Sequence, residues 1–243
     1  MALEIKNLVK TFGTRRVLDG INFSIADGEI VFILGTSGTG KSVLLKNIVG
    51  LLRPDEGEIW LDGQEISKLS EEEYFPIRKK CGMVFQYPAL FDSLTILENV
   101  AFGLRRHYPD LSEKEVRARV KKYLALVNLK DVEDHFPAEI SFGMQKRVSL
   151  ARTVACDPRY LLFDEPTTGL DPVTTNAINQ LIKRLSHTLK TTSIVVSHDM
   201  NCALAIADGI IVLDKGKVVE RGTPADLKRS KIPLVKDFLS EVI

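Results

Sequence analysis

The sequence predicts an α/β fold built around a mainly parallel sheet, with a helical lobe inserted in the middle of the chain. Three observations carry that reading. An apolar run from Ile30 to Leu34 ends in Gly35 and leads through a glycine-rich turn into a helical pattern. Two more buried-strand patterns, Tyr160 to Phe163 and Ser193 to Val196, flank a helical stretch from Val173 to Leu189, the order that parallel strand pairing requires. Between these strand regions, Glu113 to Leu129 places Val116, Val120, Tyr123, Leu124 and Val127 at helical spacing, with Lys and Arg filling the other face.

Taken along the chain, the first segment alternates apolar and polar residues through Leu3, Ile5 and Leu8, which reads as an edge strand. The helix after the glycine turn spans Ser42 to Leu52. Gly57 to Gly63 has the bounded alternation of a strand in a hairpin, and Gly82 to Phe85 begins another strand. Ile210 to Glu220 reads as a hairpin turning at Asp214, Lys215 and Gly216. The tail, Pro233 to Ile243, reads as a short amphipathic helix. Neither an internal repeat nor a low-complexity tract interrupts this order.

Composition narrows the function classes. Of 243 residues, 44% are hydrophobic and 27% charged, enough apolar material to bury a sheet. Thirty-three basic against thirty-two acidic side chains leave a formal charge of +1, so no overall field draws the chain to nucleic acid. Cys81, Cys156 and Cys202 are far apart and unpaired in spacing, as expected of buried thiols in a reducing compartment. The N-terminal MALEIKNLVKTFG lacks the apolar core of a signal peptide, and no run approaches the roughly 18 apolar residues of a membrane span. If the protein serves a membrane, another chain supplies the spanning helices.

Chemistry is concentrated in two places. Gly35, Thr36, Ser37, Gly38, Thr39, Gly40, Lys41 and Ser42 fit the pattern G-x-x-x-x-G-K-[ST]. The glycines let backbone N–H groups curl around phosphate oxygens, while Lys41 reaches the β- and γ-phosphates and the Ser42 hydroxyl reaches Mg²⁺. The N-terminus of the following helix adds partial positive charge. Downstream, the apolar strand Leu161 to Phe163 ends in Asp164 and Glu165. Asp164 is placed to hold the metal through water, and Glu165 to act as general base on the attacking water.

Further residues narrow the family. Ile140, Ser141, Phe142, Gly143, Met144, Gln145, Lys146 and Arg147 resemble the ABC signature, normally LSGGQ followed by polar residues and Arg. Gln86 resembles the Q-loop glutamine, Leu170 and Asp171 a D-loop, and His198 the switch histidine, while Phe12 sits where the family stacks an aromatic ring on adenine. With six motifs in family order, the chain is identified as similar to the ATP-binding subunits of ABC transporters. Two departures stand out: Phe142 replaces the first signature Gly, and Met144 the Gln after the second.

The resemblance implies a P-loop NTPase core with a mainly parallel sheet, an N-terminal antiparallel β subdomain and an inserted helical subdomain. The whole of 1–243 is then one ABC ATPase domain, with 1–90 and 155–243 as nucleotide-binding core and 91–154 as the helical signature subdomain. It implies ATP and Mg²⁺ as cofactors, with Ser42, Gln86 and Asp164 around the metal and Glu165, His198 and Gln86 serving hydrolysis. It also implies a homodimer in which Ser141 and Gly143 contact the γ-phosphate held by the partner's Lys41, and Asp171 links the two sites. A separate integral permease is expected to dock near Tyr87, Leu90, Phe91 and Leu94, at the cytoplasmic face of the inner membrane; these apolar residues are crowded for a loop, the alternative being that they pack the lobe onto the core.

Within the family, the stretches Phe85 to Thr95, Gly143 to Arg147 and Pro166 to Pro172 are similar to the phospholipid-transport ATPases of Mla and Mce systems. That likeness implies a hydrophobic substrate moved between bacterial membranes, with MCE-type substrate-binding and small accessory proteins as further partners. Importers of amino acids and other solutes share much of the same sequence, and a polar-solute importer is the alternative. No nucleic acid is expected.

Overall fold

A computed structural model describes residues 1–240. Strands β1 (Leu3–Phe12) and β2 (Arg15–Ile25) form a hairpin, and β3 (Ile30–Leu34) leads through the phosphate-loop segment into α1 (Lys41–Ile48). Strands β4 (Glu56–Leu61) and β5 (Gln64–Glu65) return to the hairpin, and α2 (Glu71–Lys80) runs into β6 (Cys81–Val84). Helices α3 (Ile96–His107), α4 (Glu113–Leu126) and α5 (Phe142–Val154) form the lobe. The chain returns through β7 (Tyr160–Asp164), α6 (Pro172–Leu189), β8 (Thr192–Ser197), α7 (Met200–Ile206), β9 (Gly209–Asp214) and β10 (Lys217–Gly222). Helices α8 (Pro224–Leu227) and α9 (Pro233–Ser240) follow, and the last three residues of the expected tail helix lie outside the described residues.

The strands make two sheets. One is antiparallel with four strands in the order β2-β1-β4-β5, and the other has six in the order β10-β9-β3-β8-β7-β6, parallel except for β10. Side chains alternate across the parallel strands and so divide the core. Phe32, Phe163, Val195, Ile210 and Val212 face the helical lobe, α6 and α7, whereas Ile33, Leu162, Ile194, Val196 and Ile211 face α1 and the antiparallel sheet. The α/β class and the mainly parallel sheet are as the sequence predicts.

Two local expectations need correction. β1 is not an edge strand: it pairs with β2 on one side and β4 on the other, so the alternation of Leu3, Ile5 and Leu8 marks a buried face. The helix after the phosphate loop stops at Ile48 rather than Leu52. Gly50 takes φ +69°, and a Cβ there would lie 2.4 Å from the Tyr74 ring, so only glycine lets the chain turn under that ring. Helix starts in the middle region are set by side chains. Ser70 with Glu73, Thr95 with Glu98 and Ser112 with Glu115 form reciprocal capping boxes that satisfy the first backbone donors of α2, α3 and α4.

Candidate active site

The C-terminal ends of β3, β7 and β8 lie side by side in the parallel sheet, which brings the phosphate loop, the acid pair and His198 to one edge of the molecule. A cleft of about 690 Å³ opens there, lined among others by Ser37, Gly38, Gly40, Lys41, Ser42, Gln86, Glu165 and His198. The loop geometry is demanding. Gly40, the residue before α1, takes φ +101°, and a Cβ on it would lie 2.8 Å from Leu18 Cδ2 and 2.9 Å from the Val17 carbonyl. At Gly35 a Cβ would lie 2.6 Å from the Leu213 carbonyl oxygen. Larger residues at either position would push the loop off the sheet.

Polar contacts hold the machinery in register. Lys41 is buried, and its ammonium donates to the carbonyls of Gly35 at 2.7 Å and Thr36 at 3.1 Å, so it sits inside the loop. Thr39 Oγ1 donates to the Thr36 carbonyl at 2.9 Å. The Ser42 hydroxyl donates to Asp164 Oδ1 at 2.7 Å, joining the start of α1 to the end of β7. Glu165 lies 3.5 Å from Lys41 Nζ through one oxygen and 2.8 Å from His198 Nδ1 through the other. Its backbone has φ +49°, a strained conformation for a non-glycine residue, fixed by its N–H donating to the Val196 carbonyl at 3.0 Å.

The Ser42 hydroxyl and the Asp164 carboxylate it donates to are hard oxygen donors that could hold a small divalent cation, and Gln86 lines the same cleft. With metal bound, the group would neutralise charge on a phosphate held against the loop.

Other expected residues stand apart from this cleft. Ser141 begins α5, and its hydroxyl accepts from the Met144 N–H at 3.3 Å. Gly143 packs so closely on α6 that a Cβ would lie 3.1 Å from Thr174 Cγ2. Asp171 begins α6, accepting from the Val173 and Thr174 N–H groups at 3.0 Å and from the Thr174 hydroxyl at 2.6 Å. The Thr174 hydroxyl, with those backbone donors, holds the Asp171 carboxyl below its usual range. Phe12, 46% exposed at the end of β1 with Lys10 Nζ 5.6 Å above its ring, is not among the lining residues.

Several lining residues were not read from the sequence. Arg15 and Val17 come from β2, and Arg15 donates to the Gly38 carbonyl at 3.2 Å. The alternation of Ile21, Phe23 and Ile25 was the available signal for that strand. Thr168 presents a buried hydroxyl without a hydrogen-bond partner among the described residues, and Phe238 reaches the cleft from α9. No local pattern marks either.

Comparison with known proteins agrees with this arrangement. Residues 18–168 match the ABC transporter family. Over 237 residues the chain is 44% identical to the intermembrane phospholipid transport system ATP-binding protein MlaF of Haemophilus influenzae, covering 98% of this chain and 89% of that protein. It is 42% identical over 244 residues to the methionine import ATP-binding protein MetN of Carboxydothermus hydrogenoformans, covering 98% and 72%. Among solved structures it resembles a dimeric ATP-binding cassette in a post-hydrolysis state with ADP and phosphate, with a TM-score of 0.84, 37% identity, and coverage of 91% of this chain and 98% of that one. It also resembles CbiO1 of Clostridium perfringens, part of the CbiONQ transporter complex, with a TM-score of 0.87, 33% identity, and coverage of 99% and 95%. Sheet order, cleft and sequence likeness converge, and the chain belongs to the ATP-binding subunits of ABC transporters, ATPases whose hydrolysis is coupled to transport.

Proposed function

We propose that this ATPase drives the movement of phospholipid or another hydrophobic substrate between bacterial membranes. It would work as a homodimer at the cytoplasmic face of the inner membrane, beneath a separate integral permease. The observation that carries the catalytic part is the convergence of Lys41, Ser42, Gln86, Glu165 and His198 on one cleft. In this reading Lys41 and the loop N–H groups hold the β- and γ-phosphates, and Ser42, Asp164 and Gln86 hold Mg²⁺. Glu165 takes a proton from the attacking water, and His198 steadies the γ-phosphate. Ser141 and Gly143 serve the nucleotide of the second subunit, Asp171 links the two sites, and Phe12 stacks on adenine. Residues 1–90 and 155–243 form the nucleotide-binding core and 91–154 the helical subdomain.

The lipid assignment rests on the 44% identity to the Haemophilus phospholipid-transport subunit and on the resemblance of Phe85 to Thr95, Gly143 to Arg147 and Pro166 to Pro172 to Mla and Mce ATPases. MCE-type and small accessory partners belong to the same reading. The permease is placed against an apolar patch in which Phe85, Tyr87, Phe91 and Phe102 are exposed and the Phe91 and Phe102 rings lie 4.8 Å apart. Among the described residues no helix is long and apolar enough to cross a membrane. Methionine and sulfate import relatives at 42% and 40% identity favour a second reading, an importer of polar solutes. Purifying the membrane complex and identifying what it carries by mass spectrometry separates them: phospholipid is expected, and a permease that co-purifies with a soluble solute-binding protein instead overturns the lipid reading.

A further inference from the structure

The signature helix α5 reaches back into the core through long cationic side chains. Arg152 donates to the carbonyls of Ala89 at 2.8 Å and Pro88 at 3.2 Å, just beyond Gln86. Six residues earlier on the same helix lies Lys146, only 3% exposed. Its ammonium donates to the Gln86 carbonyl and, at 3.0 Å, to the Pro166 carbonyl, one residue past Glu165. The Phe142 ring lies 5.4 Å from the same ammonium and lies against Gly169, where a Cβ would be 3.5 Å from Phe142 Cε1. Phe142, one of the two departures from the family signature, thus lies beside this buried lysine. Burial lowers the Lys146 pKa, as expected of a cation held by dipoles and a ring face with no carboxylate partner among the described residues.

We propose that Lys146 is a positioning residue for hydrolysis, its ammonium fixing the Gln86 loop and the backbone after Glu165 in one arrangement. A buried cation with donors to two separate loops sets their spacing, whereas an apolar side chain of the same length only fills the volume. Gln86 and Glu165 then approach the phosphates in register, and a movement of the lobe that carries α5 is transmitted to both at once. This rests on the roles proposed above for Gln86 and Glu165.

The experiment compares K146M and K146Q in the purified transporter complex. Methionine keeps the packing and loses the donors; glutamine keeps a shorter donor. Expected are a kcat lowered about tenfold or more in K146M, a smaller loss in K146Q, and a KM for ATP within about twofold of wild type in both. Equal kcat in K146M and wild type, equal losses in the two variants, or losses confined to KM overturn the proposal. If K146M does not fold, K146Q decides alone: a lowered kcat at unchanged KM supports it, and wild-type kcat or a raised KM overturns it. E165Q run alongside separates the levels, because wild-type turnover in that variant removes the catalytic reading itself.

Discussion

Glu165 Oε2 and His198 Nδ1 lie 2.8 Å apart, a contact between the ends of two adjacent parallel strands. The histidine ring is 63% exposed while the carboxylate is 15% exposed, so Glu165 faces the enclosed part of the cleft and His198 its mouth. A carboxylate held between Lys41 and a histidine is aimed by its neighbours rather than by its own rotamer, as the proposed general base requires. Glu165→Gln keeps the shape and removes the proton acceptor. Hydrolysis is expected to fall by about 10²- to 10⁴-fold while ATP binding persists, with a closed dimer accumulating on size-exclusion chromatography. Wild-type phosphate release would remove Glu165 from its role.

Ser42 and Asp164 share a 2.7 Å hydrogen bond at the foot of the same cleft. Ser42→Ala and Asp164→Asn each weaken the proposed oxygen set around Mg²⁺. The Mg²⁺ concentration for half-maximal hydrolysis is expected to rise by about tenfold or more in each, and chelation by EDTA to abolish wild-type turnover. A Mg²⁺ titration of both variants matching wild type would place the cation elsewhere.

Much of this site was legible because its parts are local in sequence. The phosphate loop is an eight-residue pattern from Gly35 to Ser42, and the acid pair sits at the end of one apolar strand. The relations that could not be read are those between distant segments. Arg15 and Val17 belong to the cleft only because β2 pairs with β1 and passes beside Gly40. Lys146 carries no pattern of its own, and its meaning comes from carbonyls 60 and 20 residues away. β1 reads as an edge because alternation reports one buried face and says nothing of neighbours on either side.

Asn99 is fully buried and holds the loop that carries Phe91. Its amide donates to the carbonyls of Phe91, Leu94 and Thr95, each at 3.0 Å, and its oxygen accepts from the Phe91 N–H at 2.8 Å. Asn99→Ala leaves those backbone groups short of partners, at about 1–3 kcal/mol for each one that water cannot reach. Both Asn99→Ala and the surface change Phe91→Asp are expected to lose co-purification with the permease while soluble ATP binding is retained. Undiminished assembly in Phe91→Asp would move the docking site off this patch.

Asp62 ties the antiparallel sheet to β7. Burial on its own would raise its carboxyl, but the Tyr160 hydroxyl, Lys80 and the Arg159 charge outweigh burial and hold it below its ordinary value of 3.8. A carboxyl depressed by folding stabilises above its unfolded pKa and loses that contribution as pH falls through the folded value. Asp62→Asn has no such dependence, so the wild-type advantage in Tm should be full at pH 7 and shrink below about pH 4. Thermal melts across that range check it, and a gap that stays constant with pH would show that the charge of Asp62 contributes nothing.

Ser141 and Gly143 lie outside the cleft that holds Lys41, a separation that the proposed homodimer would bridge by pairing each cleft with the other subunit's signature. If each nucleotide is held by Lys41 of one subunit and Ser141 of the other, a dimer of Lys41→Ala subunits has no competent site, nor has a dimer of Ser141→Arg subunits. Mixing them places both defects in the same site of the heterodimer and leaves the other intact. Random pairing makes half the dimers mixed, each with one of two sites working, so about a quarter of wild-type hydrolysis should return. Were the signature to serve its own subunit's nucleotide, every site in the mixture would carry one defect, and activity would stay at the level of the separate variants.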